Sequence, residues 1–288
     1  MTTSANDRIS ICFVLYNPNR RSIEWFKHLK KNNLDLIVYN NGMNKFTLDE
    51  IQQLNIEVLG DGINVGVAQA FNKLIDHVFD NLGQDTTIIF DQDSKPTDQL
   101  IRNLVSESQN NATKRQLVVL APSLAIRDTR QTYGRYSVSK KLIEATTLAS
   151  SGKVIEKSVW QKVGKFDETL FIDYVDHEWC MRAKSLGVKL FILTTAQMSH
   201  EMGDSTLRFF NYYKPVHKSP NRHYYIVRNY FLLCRRTYFP LQWKLVEFFK
   251  TIRRIVFYIL VSNDRKKSRK YICKAVKHGL TNKSGRLA

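Results

Sequence analysis

Cysteine is scarce in this 288-residue chain: Cys12, Cys180, Cys234 and Cys273 stand far apart, and none belongs to a CxxC pair. That spacing excludes a disulfide scaffold and structural zinc, and it predicts a reduced, cytosolic protein. A leader of basic, apolar and small-residue blocks is missing at the front. So are internal repeats and low-complexity tracts. Uncharged runs in the C-terminal part stay well short of the roughly 18 residues that a spanning helix needs.

Acid is the other shortage, and it is local. Residues 205 to 288 hold 20 Lys and Arg but only two acids, Glu247 and Asp264, whereas residues 1 to 204 hold 24 of each sign. The net charge of +18 therefore lies entirely in the tail. The sequence predicts a balanced body, 1–204, and a basic helical extension, 205–288, with Pro215 and Pro220 near the junction. From Leu245 to Leu260 the apolar residues recur at helical spacing, with Lys244, Lys250, Arg253 and Arg254 around them. "DRKKSRK" (264–270) follows. This pattern fits a helix lying in the interface of an anionic membrane and not crossing it. A helix packed on the body with solvated lysines is the plainer alternative. Nucleic acid is disfavoured, because no recognised binding module accompanies the charge.

The body alternates strand-like and helix-like stretches. "ISICFVLYN" (9–17), "LDLIVYNNG" (34–42), "IEVLGDGINVG" (56–66) and "TTIIF" (86–90) read as strands, and "SIEWFKHLKK" (22–31, with Ser22 as a cap) and "VAQAFNKLIDHVFDNL" (67–82) as helices. "QLVVLAPSLAI" (116–126) is another strand, "IEATTLASSGKVI" (143–155) a strand leading into a turn, and 158–200 reads helix, loop, helix, strand. This order implies an α/β fold, a mostly parallel sheet flanked by helices. Ligands of such sheets collect beyond the carboxyl ends of the strands. Tyr16, Asn17, Asn41, the Gly60–Gly66 loop and the pair Asp91 and Asp93 all lie at such exits.

Two carboxylates flanking one glutamine, in "FDQDSKP" (90–96), repel each other unless a cation lies between them. Hard divalent ions prefer such oxygen ligands. Capping of the turn that contains Ser94 and Pro96 is the alternative. Further on, "FIDYVDHEWCMR" (171–182) concentrates Asp173, Asp176, His177 and Glu178. Asp173 and Asp176, three apart, would share one helix face, while Glu178 stands four from Arg182 and suits an ion pair with it.

The stretches "VLYN" (14–17), "NVGVAQAFN" (64–72), "FDQDS" (90–94), "FIDYVDHEWCMR" and "SPNRHYYIVRN" (219–229), in this order, make the chain resemble glycosyltransferase family 2, its rhamnosyltransferase branch in particular. The resemblance covers about residues 9 to 230 and implies the GT-A fold, a Rossmann-like sheet with an acceptor half. It implies that Tyr16, Asn17, Asn41, Asn64, Gly66, Asn72, Ser151 and Gly152 contact a nucleotide-sugar. Asp91 and Asp93, with His200, would hold magnesium or manganese. Asp176 would act as general base with Asp173 beside it, although Val175 stands where the family has glutamate. Arg222, Tyr224, Tyr225 and Arg228 would meet a lipid diphosphate.

The implied function is an inverting transfer of a sugar, L-rhamnose from dTDP-L-rhamnose, to a lipid-linked saccharide on the cytoplasmic membrane face. Another donor sugar is a second reading. A haloacid-dehalogenase-type phosphatase also uses Asp-x-Asp after a strand, but on the first strand, which here ends in Tyr16 and Asn17. A third reading is a degenerate sheet domain carrying a polybasic binding tail.

Overall fold

The computed structural model describes residues 9–32, 34–112, 116–126, 140–200, 205–209, 212–216, 219–262 and 264–287. Strands β1 (Ser10–Leu15), β2 (Asp35–Asn40), β3 (Glu57–Leu59) and β4 (Thr86–Asp91) alternate with helices α1 (Arg20–Lys31), α2 (Lys45–Gln53) and α3 (Val67–Asp76). They pair in parallel in the order β3-β2-β1-β4, so all four strands end at one edge. β1 is buried along its whole length. Its residues Ile11, Phe13 and Leu15 pack with Ile23 and Phe26 of α1, while Cys12 and Val14 face Phe71 and Leu74 of α3. That two-residue alternation between two apolar layers is why the strand reads as an unbroken hydrophobic run.

After α4 (Asp98–Ala112) the sheet continues through β5 (Val118–Ile126), β6 (Leu142–Glu144), β7 (Lys153–Glu156) and β8 (Lys189–His200), giving the full order β3-β2-β1-β4-β7-β5-β8-β6. β7 is inserted antiparallel between β4 and β5, and β6 runs antiparallel on the edge. The stretch 143–155, read as a strand leading into a turn, thus holds two short strands separated by a loop. Between β7 and β8 lie α5 (Lys157–Val163), a 3₁₀ turn at Glu168–Leu170 and α6 (Val175–Ser185). β9 (Ser205–Phe209) and β10 (Tyr212–Val216) form a hairpin.

One helix start and one helix end differ from expectation. α1 begins two residues early because Asn19, not Ser22, caps it: the Asn19 side chain accepts the Ser22 amide at 3.1 Å. α3 ends at Asp76 and passes into a π-helical turn, His77–Asn81.

The stretch 205–288, expected to be helical, opens with the β9–β10 hairpin and only then forms α7 (Pro220–Cys234), α8 (Leu241–Val261) and α9 (Arg265–Leu280). These helices pack on one another and reach into the body through polar bonds at the loop before α6, described below. The final peptide also returns there: Gly285 N donates to Thr169 O at 2.8 Å, and Leu287 N to the Tyr225 hydroxyl at 2.8 Å.

Candidate active site

The exits of β1 to β4 are held by side chains that bond nearby backbone. Asn40 Oδ1 accepts the amides of Gly42 and Met43 at 3.2 and 2.7 Å, which closes the turn after β2. Asn41, itself buried, accepts Val65 N at 2.8 Å, and Asn64 accepts Gly66 N at 3.0 Å. Asn17 adopts a left-handed φ of 45° and donates its amide to Gly42 O at 3.0 Å. Tyr16 is 48% exposed. A Cβ at Gly42 would stand 2.8 Å from the Tyr16 ring, so glycine lets that ring lie across the turn with its outer side open to a ligand.

Gln92, the residue between the two acids, accepts the Tyr16 amide through Oε1 at 2.8 Å. It thereby locks the β1 exit to the β4 exit. Asp91 is partly buried and Asp93 exposed. Burial first, then the charges of Asp93 and Asp176, push the Asp91 carboxyl up to about 7, against the opposite pull of Lys153 and Arg222. Three carboxylates from β4, its exit and α6 therefore share one field. Excess negative charge on oxygen ligands is the chemistry that suits a hard divalent cation, so the residues fit one. Among the described residues no group of three or more His, Cys, Asp or Glu is arranged around a common ion position. The hydroxyls of Ser94 and Ser151 are hydrogen-bonded, and Gly152 N donates to Ile89 O at 2.8 Å, which seats the 150–152 turn beside the acidic pair.

The loop before α6 is strained. Phe171, Asp173 and Tyr174 all have positive φ, 66°, 64° and 65°, in a region costing non-glycine residues on the order of 1 kcal/mol or more each. The compensation comes from α7. Asn229 Nδ2 lies 3.0, 2.8 and 2.9 Å from the carbonyls of Leu170, Ile172 and Asp173. Arg228, fully buried, donates to Thr169 O and Leu170 O at 3.2 and 2.9 Å, to Gly285 O and to the Asn229 side chain. Arg222 clasps Asp173 with two bonds, 2.5 and 3.2 Å long. From α8, Glu247 accepts the Tyr174 hydroxyl at 2.6 Å and pairs with Arg254.

Because α6 starts only at Val175, Asp173 and Asp176 do not share a helix face as the spacing suggested. Asp173 belongs to the strained loop, and Asp176 to the first helical turn, where its Oδ1 accepts His177 N at 2.8 Å. Glu178 and Arg182 form the expected pair at 2.8 Å.

The remaining sequence candidates divide. Asn72 is buried, and its amide is spent on Phe166 N, Phe166 O and Glu168 at 2.8 to 3.0 Å, so it bolts α3 to the α5–α6 loop. Tyr224, Tyr225 and Arg228 are likewise enclosed, with Arg228 lying over both rings at 5.3 and 5.0 Å. That placement corrects the picture of these three as groups presented to an acceptor: only Arg222 reaches the acidic cluster. Gly66 does not stand open to a ligand either: its Cβ position falls 2.6 Å from Phe171, so it lets the strained loop close on the start of α3, where Val67 N donates to Phe171 O at 2.8 Å. His200 ends β8, and its side chain lies outside the described residues.

Sequence reading overlooked three residues. Gln92 was hidden between two acids. Lys153, fully buried, lies over the rings of Phe166 and Trp179 at 5.5 and 5.2 Å and donates to Cys180 Sγ at 3.7 Å. A lysine heading the apolar strand "KVIE" was its only signal. Glu247 was detectable as one of only two acids among the tail's 20 cations.

No protein-family model matches the chain. It is 31% identical over 272 residues to the dTDP-rhamnosyl transferase RfbF of Shigella flexneri, an alignment covering 88% of this chain and 87% of that one. Residues 1–349 of S. aureus TarS, solved in complex with UDP-GlcNAc, superpose with a TM-score of 0.58 at 14% identity, covering 95% of this chain and 81% of that one. A longer TarS chain gives 0.56 at 14% identity, and this protein, 95% covered, spans about half of it, 49%. At that identity, likeness to TarS speaks to the fold alone.

Proposed function

The chain belongs to the rhamnosyltransferase branch of glycosyltransferase family 2, and from that premise we propose that it transfers L-rhamnose from dTDP-L-rhamnose to a hydroxyl of a lipid-linked saccharide, with inversion. The observation that carries this reading is the acidic pair Asp91 and Asp93 at the exit of β4, locked to the β1 exit by Gln92 and flanked by the 150–152 turn. Asp91 and Asp93 would hold a magnesium or manganese ion, which when bound offsets the negative charge that gathers on the departing diphosphate. The exposed Tyr16 ring and the Asn17–Gly42 turn bind the nucleotide. Arg222, already close enough to favour the charged form of Asp91, steadies the phosphates.

Asp176 takes the acceptor proton. Its Oδ1 is engaged by the His177 amide, which fixes the carboxylate and leaves Oδ2 for the hydroxyl that attacks the anomeric carbon. Asp173, fastened to Arg222, sets the position of that turn rather than exchanging protons itself. Tests of donor and reaction class are direct: purified protein is offered a panel of nucleotide-sugars with manganese or magnesium. Selective turnover of dTDP-L-rhamnose is expected. Preference for another donor would move the sugar assignment, and no turnover of any would remove the reading.

A further inference from the structure

α8 packs a mixed face on the body, where Trp243, Ile255 and Ile259 meet the apolar core beside buried polar groups, and it leaves an apolar stripe outside. The buried face carries Glu247, Thr251 and Tyr258, with Arg254 half-buried between them, at spacings of four, three and four residues. The outward face carries Leu241, Leu245, Phe249, Ile252, Val256 and Leu260 at the same helical rhythm, each 46 to 71% exposed. The apolar stripe runs the length of the 21-residue helix, about 30 Å at 1.5 Å per residue. Its orientation is fixed: the Glu247–Arg254–Tyr174 network ties the polar face to the loop before α6, so α8 cannot roll its apolar side inward without unpairing buried charge. A contiguous apolar strip of this size on a soluble face marks an interaction surface.

We propose that this strip docks in the outer part of an anionic lipid leaflet, with α8 lying flat and its apolar side chains below the headgroups. Charge selects this occupant. Exposed Arg253 borders the strip, and α9 opens immediately after it with exposed Arg265, Lys266, Lys267, Arg269 and Lys270. Anionic headgroups complement that rim. A second copy of the chain, related by a two-fold axis, would instead bring the same cations against each other. Among the described residues no helix is long and apolar enough to cross a membrane. The proposal stands apart from the donor assignment. It also has a geometric consequence for any acceptor: Tyr174, held by α8, caps the helix carrying Asp176, so the leaflet and the acid turn are joined by one rigid connection.

Vesicle flotation of the full chain tests it, with vesicles of phosphatidylcholine alone and of phosphatidylcholine mixed with phosphatidylglycerol. Wild type should float with the anionic vesicles, and the preference over neutral ones should shrink as salt rises. The double variant Phe249→Asp, Ile252→Asp changes only exposed side chains and should melt like wild type while its partition coefficient falls about tenfold or more. Should that pair unfold, Leu241→Asp with Leu245→Asp asks the same question at the other end. Phe249→Trp should shift its emission to the blue on adding anionic vesicles. The idea is overturned if the Asp variants float like wild type, if the tryptophan stays water-like, or if wild type floats with neither vesicle. It is equally overturned if sedimentation velocity shows a dimer closed by this strip that vesicles do not dissociate.

Discussion

The loops after β1 to β4 and the loop before α6 meet where Phe171 packs on Gly66 and Val67, yet they are held in opposite ways. In the first set, Asn40 and Asn64 bond backbone two or three residues away, and Asn41 reaches 24 residues. In the second, the loop that contains three left-handed residues is pinned at the carbonyls of Thr169, Leu170, Ile172 and Asp173 by Arg228 and Asn229 from 56 to 59 positions downstream, and at Tyr174 by Glu247 from 73. Short-range bonds cost little chain entropy and form with the strands. Long-range ones hold a strained shape only once the whole chain has folded. A site assembled from one locally stable wall and one imposed wall can lose the second and keep the first.

The largest test separates those walls. Asp176→Asn should keep nucleotide affinity by calorimetry while turnover falls about a thousandfold, the usual range for removing a general base. Near-normal turnover would demote Asp176. Asp93→Ala should do the reverse, removing cation-dependent nucleotide binding, and unchanged binding would take the metal away from that pair.

Two asparagines put the contrast in energies. Asn229→Ala strips the donor from three carbonyls in the strained loop and should cost about 2–4 kcal/mol in chemical denaturation, with kcat falling more than donor KM rises. Asn41→Ala removes one acceptor from the loop before α3 and should cost about 1 kcal/mol, with its kinetic effect on donor KM. Equal costs would show that both walls are held alike.

The same contrast explains what was legible in the sequence. β1 to β4 announce themselves because an apolar strand and a polar exit are adjacent in the chain, so Tyr16, Asn41, Asp91 and Asp93 could be placed by position alone. The antiparallel insertion of β7 could not be read, since pairing with β4 depends on partners 64 to 70 residues apart. Nor could the enclosure of Arg228 and Tyr224: a cationic, aromatic helix segment has the same composition whether it greets a diphosphate or clamps a loop. The apolar rhythm of the tail helix was visible, but which side faces out was not. Periodicity gives a helix its stripes and says nothing of which stripe meets the body.

The smallest expected effect is a slope with pH, and it probes the imposed wall from behind. Burial works to raise the Glu247 carboxyl, but the Arg254 guanidinium, the Tyr174 hydroxyl and Lys250 outweigh it and hold the group below its ordinary value of 4.5. A carboxyl depressed on folding binds more protons when unfolded, so its contribution is complete above the unfolded value and fades as pH falls through the folded one. Melting temperatures of wild type and Glu247→Gln, compared from about pH 7 down to about pH 3, should therefore differ by a constant gap down to the ordinary carboxylate range and converge below it. Vesicle binding through the outward strip should be unaffected by that convergence as long as the fold persists, because the strip itself carries no titrating group. A gap that ignores pH would mean that α8 is held to Tyr174 by packing rather than by charge, and the left-handed loop would then owe its polar support to Asn229, Arg228 and Arg222.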